Sequence, residues 1–333
     1  MKNQQIQLAA RPVGEIKPTD FTLVDTDLPT PGEGEVLVEI HYLAVEPAMK
    51  GWIEARVDYV KPVEIGELMR GSGSGVVIES NNPDFPVGTR VAGSFGWQRY
   101  IVTDGRGAVA LRKIPDGIGE TAALNVLGIT GLTAYFGMGE IGEPKAGDTV
   151  LVSGAAGATG SVAGQLARIA GARVIGIAGG KEKCDWLVNE LGFDGAIDYK
   201  NEDTEAQVKA LCPDGVDVYF DNVGGEILDI ALGHLAQNAR VVLCGGISRY
   251  NETGTIPGPV NYFNLIFRRA RMEGFIVIDY MDRFGEGLQA LAQHLTSGEL
   301  KHRETVLKGF ENTPQALITL FHGANLGKQL VAV

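Results

Sequence analysis

Cysteine is scarce in this chain and unevenly placed: the three residues are Cys184, Cys212 and Cys244, and none precedes position 184. An odd number scattered through one half excludes the disulfide framework that holds small secreted domains together. Histidine is nearly missing from the first 122 residues, where His41 stands alone. A lone histidine without thiolate partners cannot build a zinc centre, so no metal site is expected and His41 reads as an ordinary strand residue. Basic side chains are also in deficit, 29 Lys and Arg against 41 Asp and Glu, for a net charge of −12. A nucleic-acid partner needs a basic surface to neutralise phosphates, so that class is set aside. No apolar run is long enough to cross a bilayer, which removes a membrane partner. Met1-Lys2-Asn3-Gln4-Gln5 is polar with no apolar stretch behind it, so a signal peptide is not expected and a cytoplasmic location is. Internal repeats and low-complexity segments are absent too.

Glycine is what the chain has in excess, with 46 of 333 residues. Without a three-residue period this implies many tight turns and close backbone approaches. The length suits two domains. In the first third, short apolar runs at 36–40, 75–78, 90–93 and 97–102 are separated by turn chemistry such as Asn81-Asn82-Pro83-Asp84 and Pro86-Val87-Gly88. Closely spaced short strands predict a small, curved β domain. After a helix predicted over 121–137 the pattern changes to alternating strands and helices. Six strands are expected at 149–153, 173–178, 195–197, 216–220, 240–244 and 273–278, with amphipathic helices at 161–170, 183–191 and 226–236. That alternation predicts an α/β, doubly wound parallel sheet of dinucleotide-binding size. The tail, 327–333, is again strand-like and is expected to return to the first domain. The boundaries are therefore 1–122 with 300–333 for the β-rich domain and 123–299 for the parallel-sheet domain.

The strongest motif runs Val150-Leu151-Val152-Ser153-Gly154-Ala155-Ala156-Gly157-Ala158-Thr159-Gly160. It is a G-x-G-x-x-G fingerprint in which Ala155 takes the first glycine position and Gly157 and Gly160 the others. Its position between strand and helix gives it meaning: Gly157 lets backbone approach a pyrophosphate, and Gly160 lets helix and strand pack closely. At the end of the second strand an NAD site carries an acidic residue for the ribose hydroxyl. Here Gly179-Gly180-Lys181-Glu182-Lys183 follows instead, a neutral gap and then lysines. Lys183 fits a 2′-phosphate, with Tyr199 able to donate a second hydrogen bond, so NADPH is the expected cofactor. The bland reading is a solvated helix start, and Glu182 leaves room for NADH.

With no metal to stabilise an alkoxide, alcohol oxidation loses its usual support. Reduction of a conjugated double bond needs no metal: hydride goes to the β-carbon, and hydrogen bonds stabilise the resulting enolate until it is protonated.

Several stretches together resemble a known family over nearly the whole length. They include Arg11-Pro12-Val13-Gly14, Val45-Glu46-Pro47-Ala48-Met49-Lys50-Gly51, Gly131-Leu132-Thr133-Ala134-Tyr135-Phe136-Gly137, Asp221-Asn222-Val223-Gly224-Gly225, Ile247-Ser248-Arg249-Tyr250-Asn251 and Arg271-Met272-Glu273-Gly274-Phe275. They are similar to the zinc-free medium-chain dehydrogenase/reductases: leukotriene 12-hydroxydehydrogenase/prostaglandin reductase, plant alkenal double-bond reductases and, most of all, bacterial NADPH-dependent curcumin reductase. The resemblance implies a GroES-like domain followed by a Rossmann domain, a homodimer, and an NADPH-dependent reductase of α,β-unsaturated ketones or aldehydes, with a small conjugated carbonyl as substrate. It implies that Lys183 and Tyr199 hold the 2′-phosphate and that Asn222 lies on the adenosine side. Thr133, Ala155, Gly157, Ala158, Thr159, Gly160 and Gly179 complete that wall. Cys244, Gly245, Ile247, Ser248 and Tyr250 run along the cofactor, while Phe275, Ile276, Val277 and Asn325 border the nicotinamide and pyrophosphate.

Two positions depart from the family pattern. Ala48 stands where relatives carry a tyrosine in Val-Asp-Pro-Tyr-Met, and Phe267 stands where a tyrosine proposed as proton donor or carbonyl anchor falls. The catalytic candidates that remain are Tyr250, Tyr59 and Tyr262, with Tyr250 first because Ser248-Arg249-Tyr250-Asn251 resembles the family's cofactor-side loop; water or the nicotinamide ribose hydroxyl are the other proton sources. Tyr250 reads equally as a packing residue, and Tyr59, in Val57-Asp58-Tyr59-Val60-Lys61-Pro62, as an exposed loop residue. Trp52 and Trp97 are either pocket walls or core. Two other functions share the fold: a quinone reductase of the zeta-crystallin type, and a catalytically silent NADPH-binding protein.

Overall fold

The computed structural model describes residues 2–55, 59–107 and 110–333, so Val57 and Asp58 of the loop before Tyr59 lie outside the described residues. The chain forms two compact units, Met1–Leu124 with Glu304–Val333, and Asn125–Arg303.

The first unit opens with a hairpin, β1 (Lys2–Leu8) antiparallel to β2 (Phe21–Asp27). The sequence reading missed it because polar residues hide the alternation. Asn3 is buried beside Ile6 and Leu8, its amide donating to Gln98 Oε1 (3.2 Å) and the Tyr100 carbonyl (3.0 Å). Next come β3 (Val36–Ala44), the single turn α1 (Met49–Trp52), β4 (Ser72–Ser80), β5 (Arg90–Ser94), β6 (Tyr100–Thr103), β7 (Arg112–Lys113) and α2 (Glu120–Leu124).

A single helix over 121–137 was expected, and the chain instead breaks at Asn125. The Asn125 carbonyl accepts from the Gly128 and Gly131 N–H groups and from Thr130 Oγ1, so the backbone doubles back on itself. A Cβ at Gly131 would lie 1.8 Å from the Val126 carbonyl oxygen, an approach only glycine permits. The second unit then runs α3 (Ile129–Phe136), a π-helical turn (Gly137–Gly142), β8 (Thr149–Ser153), α4 (Ala158–Ile169), β9 (Arg173–Ala178), α5 (Lys181–Asn189), β10 (Gly195–Asp198), α6 (Thr204–Leu211), β11 (Val216–Asp221), α7 (Gly225–Gly233), β12 (Leu235–Leu243), α8 (Asn264–Phe267), β13 (Arg271–Gly274) and α9 (Phe284–Thr296). Finally β14 (Glu304–Lys308), α10 (Thr313–Phe321) and β15 (Lys328–Ala332) return to the first unit. As expected of the tail, β15 pairs antiparallel with β3.

The second unit's sheet is parallel throughout, in the order β10-β9-β8-β11-β12-β13. Leu151, Ile175, Ile177, Ile197, Tyr219 and Val241 are buried on one face with Val208 of α6 and Leu232 of α7. The alternate residues Val150, Val152 and Val174 are fully buried as well, so both faces are covered, as a doubly wound sheet requires. Each such side chain contributes about 1.5–3 kcal/mol on burial. The last strand is shorter than the expected 273–278. It ends at Gly274, because Phe275 turns inward to pack where a Cβ on Gly137 would lie 2.7 Å from its ring, and the chain coils over Val277–Arg283.

The first unit's core gathers Leu8, Val38, Val77, Phe95, Trp97, Phe310 and Leu317. Trp97 is wholly buried and packs 5.3 Å from the Phe21 ring, so it is core and not a pocket wall. A buried ion pair ties the tail down: Lys328 Nζ donates to Glu46 Oε1 at 2.9 Å.

Candidate nucleotide site and active site

Strand order reverses between β9 and β11 on either side of β8, and ligands of open α/β sheets bind beyond the carboxyl ends of the strands at that point. Ser153 ends β8 and Asp221 ends β11. The Asp221 carboxylate is buried and accepts from Ser153 Oγ (2.8 Å), the Tyr219 hydroxyl (2.8 Å) and the N–H groups of Val223 (3.0 Å) and Gly224 (2.9 Å). Burial, and then the Asp221 charge, hold the Tyr219 phenol well above its ordinary pKa, so it stays a donor. Asn222 completes the latch, its amide donating to the Ser153 carbonyl at 2.7 Å. Sequence reading named Asn222 and missed Asp221, whose signal was an acidic residue closing an apolar strand at the switch point.

The glycine-rich turn leads directly from Ser153. Gly154 has φ +57, so the left-handed turn sits one residue before the position assigned from the motif, which is why Ala155 is tolerated there. A Cβ on Gly160 would meet the Gly154 carbonyl oxygen at 2.4 Å and Ala155 Cα at 2.9 Å; close helix–strand packing depends on its absence. Gly157 caps α4 with its backbone and offers no side-chain acceptor to the first-turn N–H groups. The N–H groups at Ala158, Thr159 and Gly160 therefore have no capping acceptor, the arrangement that receives a phosphate. Thr133, on α3, donates its hydroxyl back to the Ile129 carbonyl at 2.7 Å.

At the end of β9, Gly179 forms a cradle. A Cβ there would lie 2.9 Å from Tyr199 Cε1 and 2.8 Å from Lys200 Cε. Lys183 approaches from the first turn of α5; burial first, then the nearby Lys200 charge, lowers its pKa. Asp198 ends β10 just before Tyr199 and is tied to this same turn. Its carboxylate accepts from Asn201 Nδ2 (2.7 Å) and from the N–H groups of Gly180 (2.7 Å) and Lys200 (3.1 Å), and these bonds lower its pKa. The end of β9 therefore offers a phenol and cations, with the Glu182 carboxylate acting on Lys183 from the same first turn of α5.

The remaining wall lies beyond β11 and β12. Cys244, Gly245, Phe275 and Ile276 line one cavity of about 900 Å³ together with Gly224, Gly225 and Arg249. Ile247 and Ser248 dock on the loop after β11, where Ser248 Oγ donates to the Val223 carbonyl at 2.6 Å. The Tyr250 hydroxyl folds over the same turn and accepts from the Gly246 N–H at 3.3 Å. Val277 begins the coiled segment behind Ile276.

Asn325 and Tyr59 belong to the first unit. Asn325 is buried and donates to the Gly327 carbonyl at 2.8 Å. The Tyr59 hydroxyl accepts from the Trp52 indole N–H at 3.2 Å. Phe267 and Tyr262 are both exposed. His41 sits 3.1 Å from Glu120, and among the described residues no group of three or more His, Cys, Asp or Glu is placed to hold a metal ion. No helix among the described residues is long and apolar enough to cross a membrane.

Comparison with known proteins agrees with this geometry. The family model for the N-terminal domain of oxidoreductase matches residues 4–111, and that for zinc-binding dehydrogenase matches residues 158–293. The chain is 46% identical over 334 residues to YfmJ of Bacillus subtilis, covering 99% of this chain and 97% of that protein. It is 39% identical over 337 residues to NADPH-dependent curcumin reductase of Escherichia coli, covering 100% and 97%. The crystal structure of CurA from Vibrio vulnificus in complex with NADPH superposes with a TM-score of 0.92 at 42% identity, covering 99% of each chain.

Proposed function

Because the chain belongs to the medium-chain dehydrogenase/reductase family, in the branch of curcumin reductase, prostaglandin reductase 1 and 2-alkenal reductase, we propose that it is an NADPH-dependent reductase of α,β-unsaturated ketones and aldehydes. The observation that supports the cofactor reading is the cradle at Gly179, where Tyr199 and Lys200 close in, with Lys183 on the first turn of α5 and the Asp198 carboxylate taken up by backbone N–H groups. When bound, NADPH supplies the hydride that saturates the double bond at its β-carbon. Residues 123–299 are assigned to binding it and residues 1–122 with 300–333 to catalysis.

The chain's own residues do the rest. The uncapped start of α4 accepts the pyrophosphate, with Gly157 keeping the backbone clear of side chains. Lys183 and Tyr199 hold the 2′-phosphate. Thr133, Asn222 and the segment from Cys244 to Tyr250 line the cofactor, with Phe275, Ile276, Val277 and Asn325 toward its nicotinamide and pyrophosphate. Charge that develops on the carbonyl oxygen needs a hydrogen-bond donor. Tyr59 is suited to it, because its oxygen already accepts from Trp52 and its own proton is left to donate. Tyr250 is the second candidate, held over the turn at Gly245 and Gly246. Zinc chemistry is not invoked, although one matching family model carries zinc in its name, because the first unit contains no cysteine to serve as a thiolate ligand.

A second copy of the chain is proposed to pair along β13. That strand ends the sheet order, and Val260, Ile266, Phe267 and Met281 near it in sequence are exposed. Three free cysteines accord with a cytoplasmic setting. The test of function is NADPH oxidation with a small conjugated enone beside a simple quinone. Faster turnover of the enone supports the reading. Reduction of the quinone alone replaces it with a quinone reductase, and turnover of neither with tight NADPH binding makes the chain a silent binder.

A further inference from the structure

The glycine-rich turn and the loops after β11 and β12 leave the ends of three adjacent strands, and Asp221 bonds to all of them. It closes β11 with its side chain buried. Its Oδ1 accepts from the Ser153 hydroxyl at the start of the glycine-rich turn (2.8 Å) and from the Tyr219 hydroxyl within β11 (2.8 Å). The same atom accepts from the N–H groups of Val223 (3.0 Å) and Gly224 (2.9 Å), while Oδ2 adds a longer bond from Gly224 at 3.1 Å. The Asp221 backbone carbonyl takes the N–H groups of Cys244 (2.9 Å) and Gly245 (3.0 Å), where the chain leaves β12. Asn222 repeats the pattern: its N–H donates to Ser153 Oγ at 2.9 Å, and its carbonyl accepts from Ile247 at 3.3 Å. Gathering the N–H groups of residues 223 and 224 onto one oxygen bends the chain sharply, and Gly224 and Gly225 follow at φ +69 and +61, where other residues are strained. The motif Asp221-Asn222-Val223-Gly224-Gly225 is thus a turn built around a single side-chain oxygen. Four donors meeting there away from water would each be left unpaired without it.

We propose that Asp221 is a positioning residue for the cofactor, fixing the glycine-rich turn and the loops after β11 and β12 at the spacing a bound dinucleotide needs. It acts through those loops, since its side chain is buried and its oxygens are taken. The role rests on the reading of the cofactor as NADPH and adds to it the residue that holds the loops together. Loops already in place cost less to order when the cofactor binds, so their looseness is read as lost affinity. Geometry and not charge is what they require: a negative charge near a pyrophosphate opposes binding, and the donors converge on an oxygen that an amide also supplies.

Calorimetric titration of the full chain with NADPH tests it, because the number of sites and their affinity are read separately. Replacing a residue that only stabilised the fold would leave fewer sites of unchanged affinity. Asp221→Ala keeps the wild-type number of sites and weakens NADPH about tenfold. Asp221→Asn, which still places an oxygen where the donors meet, binds within about threefold of wild type. Tyr219→Phe removes a donor that belongs to the strand and to no loop, so its urea midpoint falls while its affinity stays within about twofold. Should Asp221→Ala not fold, Ser153→Ala takes its place: it cuts the bond from the carboxylate to the glycine-rich turn and weakens NADPH about fivefold. Unchanged affinity in Asp221→Ala, or in Ser153→Ala where that variant is used, overturns the proposal. So does a loss in Tyr219→Phe equal to that in Asp221→Ala. A wild-type chain that fails to bind NADPH overturns the cofactor reading, whereas wild-type binding with an unaffected Asp221→Ala overturns the role of Asp221 alone.

Discussion

Gly157 and Gly160 lie three residues apart in one motif, yet their absent side chains matter for different reasons. At Gly160 the obstruction is backbone, 2.4 Å from a carbonyl oxygen, and backbone cannot rotate aside. Gly160→Ala is therefore expected to destabilise the chain by about 1–3 kcal/mol. At Gly157 the single close neighbour lies at 3.2 Å and φ is an ordinary −83. Gly157→Ala should change stability by less than about 1 kcal/mol while weakening NADPH binding at least about tenfold, since the backbone there is meant to approach a phosphate. Urea melts and nucleotide fluorescence separate the two. Equal stability losses would show that Gly157 is a packing residue as well. Lys183 was legible in the sequence because a helix start after a neutral strand end has a fixed place in this fold. The approach of the Lys200 stem to Gly179 was not, because it folds back from the next strand's turn, a long-range placement that spacing does not encode.

At the scale of elements, the central strands β8 and β9 were readable because both-face burial makes them nearly continuous apolar runs. The hairpin β1–β2 was not, since its inward Asn3 is satisfied by side chain and carbonyl partners contributed nearly a hundred residues later. The end of β13 was equally hidden: Phe275-Ile276-Val277-Ile278 looks like strand, and only the space left at Gly137 draws Phe275 out of it. What remains of β13 is a short edge. If a second copy covers it, wild type runs as a dimer in light scattering, and Ile266→Asp with Phe267→Asp, both on exposed positions, shifts it to monomer. A wild-type monomer would contradict that assignment.

Across the whole molecule, the three thiols are expected to set the alkaline limit. Burial pushes Cys184 and Cys212 up to about 11 and Cys244 to about 12. Above pH about 9 the unfolded chain releases protons that the folded chain keeps, so the unfolded state binds fewer and stability falls as pH rises toward 11. Lys183, lowered by burial, opposes this as a single group. Urea midpoints should be flat from pH 7 to 8 and drop by pH about 10.5; a rise would show that the thiols are solvated. The central claim concerns where the hydride goes. With NADPH deuterated at the transferred position, chelator-treated protein and a small enone, the account predicts a saturated ketone carrying deuterium on its β-carbon. Deuterium on the carbinol carbon of an allylic alcohol, or turnover that appears only when zinc is added back, would contradict it.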